Sequence, residues 1–246
     1  MKTVGLIGCG AIGTVLADAI DRELVTCDQL IVFDVDIAKA EKLKKAINFP
    51  VTIVPSFEEL INRKPTLIVE AASQQAAKEY VPRIVAAEIE AIVMSTGALL
   101  DLDVDMRRVH VPSGAIGGLD AVASAALAGI DEVVLSSRKN PKAFEKNNTE
   151  PEVVYEGYAE EAAKQFPRAM NVAATLALTV KPVKVIVQVI SDPAVTKNTH
   201  EIHLKWRFGE MFLRFSNEPH PDNPHTSALA AWSAIRLLQT LLEQKT

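Results

Sequence analysis

The sequence predicts an α/β fold, a doubly wound parallel sheet followed by a second, mixed α+β substrate domain. Three observations lead there. Over about the first 110 of 246 residues, short β-branched runs alternate with amphipathic segments, the rhythm of βαβ units whose strands are buried on both faces. A glycine-rich turn joins the first run to the first amphipathic segment. Beyond Ala115 that rhythm gives way to longer strand-like runs and an alanine-rich helical stretch.

In chain order, strands are expected at 3–7, 29–33, 51–54, 66–69 and 91–94, with helices at 12–21, 37–46, 57–62 and 74–87 between most of them. A helical pattern then covers 115–128, a strand 132–137, and a polar, proline-flanked loop 140–151. After a short strand at 153–156 comes one long helical region over 159–179. Strands follow at 183–190, 199–208 and 210–215, the last two forming a hairpin across Gly209. Residues 217–224 contain three prolines and read as a connector, after which Leu229, Trp232, Ile235, Leu238 and Leu242 mark the apolar stripe of a C-terminal helix. The expected domains are 1–114 for a dinucleotide, 115–216 for substrate and catalysis, and 217–246 as connector and a helix that packs back on the first domain.

Bulk properties narrow the function. A net charge of −5 with no basic block disfavours nucleic acid as a partner. The apolar run after Met1 is too short for a secretory signal, and no stretch of about 18 apolar residues exists, so no membrane span is expected. Cys9 and Cys27 have neither metal-type spacing nor a disulfide framework around them, which fits a reducing cytoplasm and a protein without bound metal.

Gly8-Cys9-Gly10-Ala11-Ile12-Gly13 matches G-x-G-x-x-G. The match gains weight from its context, because it follows an apolar strand, opens a helix, and is followed 21 residues after Gly13 by Asp34 at the end of Leu30-Ile31-Val32-Phe33. In this reading Gly8 permits the tight turn, Gly10 lets the backbone approach a pyrophosphate, and Gly13 lets the helix sit close to the sheet. The helix start, Ala11 and Ile12 included, offers N–H groups and a positive dipole end to phosphate. Asp34 would accept the adenosine ribose hydroxyls and repel a 2′-phosphate. With no arginine directly after it and Asp36 close by, NAD is favoured and NADP remains possible. An S-adenosylmethionine enzyme presents a similar loop and acid, but the second domain argues against it.

At Ser113-Gly114-Ala115-Ile116-Gly117-Gly118-Leu119-Asp120-Ala121 the chain resembles the microbial L-aspartate dehydrogenase family, and the resemblance spreads over nearly its whole length. Further blocks in the family's order are Glu70-Ala71-Ala72-Ser73-Gln74-Gln75-Ala76, Ser95-Thr96-Gly97-Ala98, Arg138-Lys139-Asn140, Phe166-Pro167-Arg168 with Asn171-Val172-Ala173-Ala174-Thr175, Asn198-Thr199-His200-Glu201-Ile202, and Asn223-Pro224 ahead of Thr226-Ser227. The resemblance implies a Rossmann domain with a substrate domain inserted before the final helix. It also implies NAD(P)-dependent oxidative deamination of L-aspartate to iminoaspartate, or after hydrolysis oxaloacetate and ammonia, in a homodimer that feeds NAD biosynthesis. By the same resemblance His200 is the catalytic histidine, and Ala115 and Asn171 contact the nicotinamide. One departure is visible: the stretch between Gly97 and Ser113 is shorter than the family's, as if a helix were trimmed.

The chemistry bears on the same residues. Oxidising a carbon that carries an amine requires the amine to be neutral, and imine hydrolysis needs an activated water; histidine suits both tasks. His200 sits with Asn198 and Thr199 in a polar cluster ahead of an apolar run. His203 falls on the opposite strand face, His110 reads as structural, and His220 and His225 lie in the connector. His200-Glu201-Ile202-His203 lacks the four-residue histidine spacing of a zinc helix. A dicarboxylate needs cations or clustered donors, for which Arg138, Lys139, Lys164 and Arg168 are candidates; the resemblance puts Lys139 and Arg168 foremost, since they lie in family-like blocks, with Asn198 and Thr199 beside them. The alternatives are a related two-domain dehydrogenase, like dihydrodipicolinate reductase or homoserine dehydrogenase, and a non-catalytic NAD-sensing protein.

Overall fold

The computed structural model describes residues 1–167, 170–220 and 223–244, with the backbone alone at 220 and 223–225. It resolves into two compact units, one of residues 1–112 with 231–246 and one of residues 113–230.

The first unit holds six strands, β1 (Thr3–Ile7), β2 (Gln29–Phe33), β3 (Val51–Ile53), β4 (Leu67–Glu70), β5 (Glu90–Val93) and β6 (Val109–His110). All pair in parallel in the order β3-β2-β1-β4-β5-β6, the Rossmann order, whose direction of winding reverses between β1 and β4. The near-continuous apolar strands are what a sheet covered on both faces demands; β1 and β4 are buried at every position. Helices α1 (Ala11–Asp21), α2 (Ile37–Ala46), α3 (Phe57–Asn62) and α4 (Gln74–Ala86) alternate with the strands, and each expected element of this unit lies within a residue of its expected ends. Asp36, Ser56 and Ser73 cap α2, α3 and α4 by accepting N–H bonds from Ala38, Glu59 and Ala76, each worth about 1 kcal/mol. The short stretch after Gly97 folds as two 3-10 turns, Thr96–Leu100 and Met106–Arg108.

The second unit carries α5 (Leu119–Ala128), β7 (Ile130–Lys139), β8 (Glu152–Tyr158), α6 (Ala159–Gln165), α7 (Asn171–Val180), β9 (Ile186–Ser191), β10 (Asn198–Trp206) and β11 (Gly209–Asn217). Its sheet runs β11-β10-β7-β9-β8, antiparallel except for the β7–β9 pair. A two-residue turn, Arg207-Phe208, closes the β10–β11 hairpin with Trp206 opposite Gly209.

Four expectations are corrected. The helix expected from residue 115 begins at Leu119, because Gly118 takes a left-handed φ of 68° that ends the preceding turn. The single helix over 159–179 is two: α6 stops at Phe166, where Pro167 cannot continue the hydrogen-bond ladder. The connector at 217–224 contains a small hairpin of β12 (Pro219–His220) and β13 (Asn223–Ser227). Finally α8 (Ala228–Glu243) buries Ala231, Ala234, Ile235, Leu238, Leu241 and Leu242, whereas Leu229 and Trp232 of the expected stripe are exposed. From Ala231 onward α8 belongs to the same unit as the parallel sheet, where Gln239 Nε2 donates to the Leu24 carbonyl at 3.1 Å.

Among the described residues no helix is long and apolar enough to cross a membrane.

Candidate functional site

At the carboxyl edge of the parallel sheet, the chain leaves β1 through Gly8, whose φ is 95° and whose N–H donates to the Phe33 carbonyl at 2.9 Å. A Cβ on Gly8 would lie 2.7 Å from the Ala71 carbonyl oxygen, and one on Gly13 would collide with the Gly8 carbonyl oxygen. At these two positions the lack of a side chain lets turn, helix and neighbouring loop close-pack. Gly10 differs, since a Cβ there would meet nothing within 4 Å. Gly10 is the N-cap of α1, and no side chain caps this helix. The N–H groups at Ala11 and Ile12 therefore stand at a bare helix start, and the residues fit a pyrophosphate.

Asp34, one residue past β2, reaches back to this loop: its Oδ2 accepts from the Cys9 N–H at 2.7 Å and its Oδ1 from the Asp36 N–H at 2.9 Å. The carboxylate thus ties the glycine turn to the end of β2, a bond the residue spacing alone could not reveal. A cavity of about 330 Å³ opens beside it, lined by Gly8, Asp34, Lys39, Ser73, Ala76 and Tyr80 among others. Burial pushes the Cys9 thiol up to about 12, with Asp34 adding to the rise, which disfavours the thiolate there.

In the second unit, alternate residues of three strands form one buried face. Val133, Leu135, Val187, Val189, Ile202 and Leu204 are its apolar part, and toward one end the same parity carries Ser137, Lys139, Ser191, Asn198 and His200, all buried. The β7–β10 register sets His200 opposite Ser137, and Ser137 Oγ lies 2.9 Å from His200 Nδ1. Lys139 follows two residues along on the same face. Burial, then the Lys139 charge, pushes the His200 pKa down to about 3, and burial pushes Lys139 down to about 8. A neutral imidazole beside a buried amine is the outcome.

Neighbouring groups hold the strands that carry this cluster. Thr199 Oγ1 pairs with Ser216 Oγ at 3.1 Å, and Asn198 Nδ2 with Ser227 Oγ at 3.4 Å. Asn217 Nδ2 donates to the Ala115 carbonyl at 2.9 Å, fixing the loop ahead of α5, and Phe215 stands opposite His200 in the hairpin. Ala115 is buried and Asn171 is the first residue of α7. Arg138 is turned to the other face, where Nη1 bonds Asp192 Oδ2 at 3.2 Å, so this cation is committed to a structural pair. Lys164 lies in the last turn of α6. Arg168 lies outside the described residues, as do the side chains of His220 and His225. His110 Nε2 sits 3.2 Å from Glu90 Oε2, and half-exposed His203 faces Glu210. Among the described residues no group of three or more His, Cys, Asp or Glu is placed to hold a metal.

Sequence reasoning missed Ser137, Asn217 and Glu70. For Ser137 the signal was available, since residues 133, 135, 137 and 139 share one strand parity that begins apolar and ends polar.

A Rossmann sheet with an anion-ready glycine turn, joined in one chain to a unit bearing a buried His–Ser–Lys cluster, defines a nicotinamide-nucleotide oxidoreductase. Comparison with known proteins narrows the class. Residues 8–109 match the family model described as homoserine dehydrogenase, NAD binding domain, and residues 120–241 match aspartate dehydrogenase, C-terminal. The chain is 42% identical to an L-aspartate dehydrogenase of Archaeoglobus fulgidus, covering 98% of both chains. It is 36% identical to that of Methanothermobacter thermautotrophicus, covering 99% of this chain and 97% of the relative. The crystal structure of aspartate dehydrogenase from Thermotoga maritima aligns with a TM-score of 0.78 at 31% identity, over 98% of this chain and 97% of that one. The chain belongs to the aspartate dehydrogenase family.

Proposed function

We propose that this chain oxidises the amine-bearing carbon of L-aspartate with NAD, giving iminoaspartate, which water converts to oxaloacetate and ammonia. Iminoaspartate released before hydrolysis would feed NAD biosynthesis. The observation that carries it is the buried His200–Ser137–Lys139 end of the second sheet, in a chain whose curated relatives are named L-aspartate dehydrogenase. When bound, NAD supplies the two-electron acceptor. Gly10, Ala11 and Ile12 would hold its pyrophosphate in the turn that Gly8 and Gly13 shape, Asp34 would hold its adenosine ribose, and Ala115 and Asn171 would meet its nicotinamide.

The residues of the second unit divide the remaining work. Ser137 engages Nδ1 of His200, which directs proton transfer to Nε2. Neutral His200 takes a proton from the substrate ammonium, or from the water that attacks the imine. Its pKa of about 3 belongs to the ligand-free cluster. A dicarboxylate placed on Lys139 neutralises that cation and adds negative charge, both of which lift the imidazole toward the working pH. Asn198, on the same strand face as Lys139, and Arg168 are the further candidates for the carboxylates, whereas Thr199 lies on the opposite face with Arg138 and bonds Ser216 there. Homodimerisation and a cytoplasmic setting belong to the same reading; the outer sheet face carries Phe212, 64% exposed, as apolar surface for a second copy.

A panel of amino and hydroxy acids with NAD or NADP, scored by absorbance of the reduced cofactor, tests the reading. Aspartate-dependent NADH formation, far above that with other substrates, is the expected result. NAD binding without turnover of any substrate on the panel would instead mark a sensor. For the cofactor half, Asp34→Ala is expected to weaken NAD about 10-fold while weakening NADP much less, since the change also removes repulsion of the 2′-phosphate. Calorimetric titration with both nucleotides checks this, and equal losses would show that Asp34 serves only to anchor the Cys9 N–H.

A further inference from the structure

Glu70 is the last residue of β4, at the carboxyl edge of the strand beside which the winding of the sheet reverses, and it has no solvent exposure. A carboxylate in the middle of a parallel sheet's core is costly unless each lone pair it presents is met. Here they are met by two loops. Oε1 accepts from the Ala72 N–H at 2.9 Å, the Ser73 N–H at 3.1 Å and the Ser95 hydroxyl at 3.0 Å, and Oε2 accepts from the Ser95 N–H at 3.1 Å. Ala72 and Ser73 lead from β4 into α4, while Ser95 leads from β5 into the first 3-10 turn. Burial raises the Glu70 pKa and these donors oppose the rise. Burial is the larger effect and the pKa stays raised, while three of the four donors are backbone N–H groups that can only donate and so offset part of the cost of the charged form.

The two loops also interlock on their other side. Gly97 has no room for a Cβ, because the Gln74 side chain occupies that space. On the β1 side, Ala71 and Ala72 press against Gly8, at distances where a Cβ on Gly8 would stand 2.7 to 2.8 Å away. The carboxylate therefore sets the height of a shelf made of residues 71–73 and 95–97, directly beside the glycine turn. In a doubly wound sheet each mononucleotide half of the ligand lies over its own half of the strands, and β4–β5–β6 is the half that does not carry the adenosine-binding acid.

We propose that Glu70 is a positioning residue that fixes this shelf for the nicotinamide ring of the cofactor, and that it takes no direct part in binding the ADP-ribose portion. The proposal rests on the NAD reading above. Glu70→Gln keeps the length of the side chain but turns an amide N–H toward at least one of the backbone N–H groups, leaving both without an acceptor. Binding of NAD and of ADP-ribose, which lacks the nicotinamide, is measured by calorimetric titration on wild type and variant. The expected result is a loss of about 10-fold in NAD affinity with ADP-ribose changed by less than about 2-fold.

Ser95→Ala removes one donor without disturbing the core carboxylate. It is expected to give the same pattern at about 3-fold, and it decides the matter if Glu70→Gln does not fold. Equal losses of NAD and ADP-ribose, or no loss of either, would overturn the proposal. Wild-type protein that binds neither compound would instead refute the cofactor reading on which it stands.

Discussion

Replacing His200 with alanine is expected to lower kcat for aspartate oxidation by about 10² or more while leaving NAD affinity nearly unchanged. The two effects separate because the glycine turn and Asp34 belong to the other compact unit. If His200 moves a proton in the transition state, the loss falls on kcat and on kcat/KM together, since ground-state binding of substrate does not use that transfer. If it only receives a substrate carboxylate, KM rises and kcat stays, and His200→Gln restores part of the binding through its amide. The side chain is buried, so a thermal melt accompanies the kinetics; glutamine, closer in volume and able to bond Ser137 Oγ, guards against a loss caused by a cavity. A stability readout follows from the same geometry. The folded state refuses a proton on His200 until about pH 3, whereas the unfolded chain takes it near 6.5, so stability falls as pH drops below 6.5. That part of the acid limb should flatten in the alanine variant, and near-normal kinetics in both variants would remove His200 from the reaction.

How much of this was open to sequence reading depends on the range of the forces involved. The first unit was legible almost to the residue because its elements follow local rules: apolar runs buried on both faces, serine and aspartate caps, and a glycine turn whose spacing is set by backbone geometry. The helix break at Phe166-Pro167 was also local, but the alanine-rich composition on both sides outweighed a single proline. The hairpin within 217–227 was hidden because prolines there read as breakers, although Pro219 opens a two-residue edge strand, where a missing N–H costs nothing. Leu229 and Trp232 fit the helical period, yet which face of α8 is buried depends on where unit boundaries fall, and periodicity does not encode that.

The site divides the same way. His200 and Lys139 were visible as polar residues inside strand patterns, but the Ser137 contact needs the β7–β10 register, which pairs residues 63 apart. Glu70 read as the acidic start of a family-like block, and only the fold shows it accepting from Ser95, 25 residues away. Arg138 and Lys139 are neighbours of like charge in the sequence, and strand alternation sends them to opposite faces and opposite fates: one paired with Asp192, the other buried beside His200.

That last contrast makes Lys139 the second decisive test. Lys139→Met exchanges a buried ammonium for an apolar side chain of similar length, so it removes the charge with little change in volume, and a thermal melt accompanies the kinetics. Aspartate affinity should suffer, with KM rising about 10²-fold as a charge-assisted contact to a carboxylate is lost and kcat changing less. The pH dependence supplies three signs. Burial lowers the Lys139 pKa from 10.5 to about 8, so the cation that attracts the dicarboxylate is present below pH 8 and is lost as pH rises through it. An alkaline fall in kcat/KM near pH 8 is therefore expected in the wild type and absent in the variant. For stability the unfolded chain holds a proton between pH 8 and 10.5 that the folded chain has released, so wild-type stability climbs with pH across that window and the variant's does not. Because the Lys139 charge also holds the His200 pKa down, the acid limb of kcat should move to higher pH in Lys139→Met. A variant with unaltered KM for aspartate and an unshifted acid limb would show that Lys139 neither holds the substrate nor tunes the histidine.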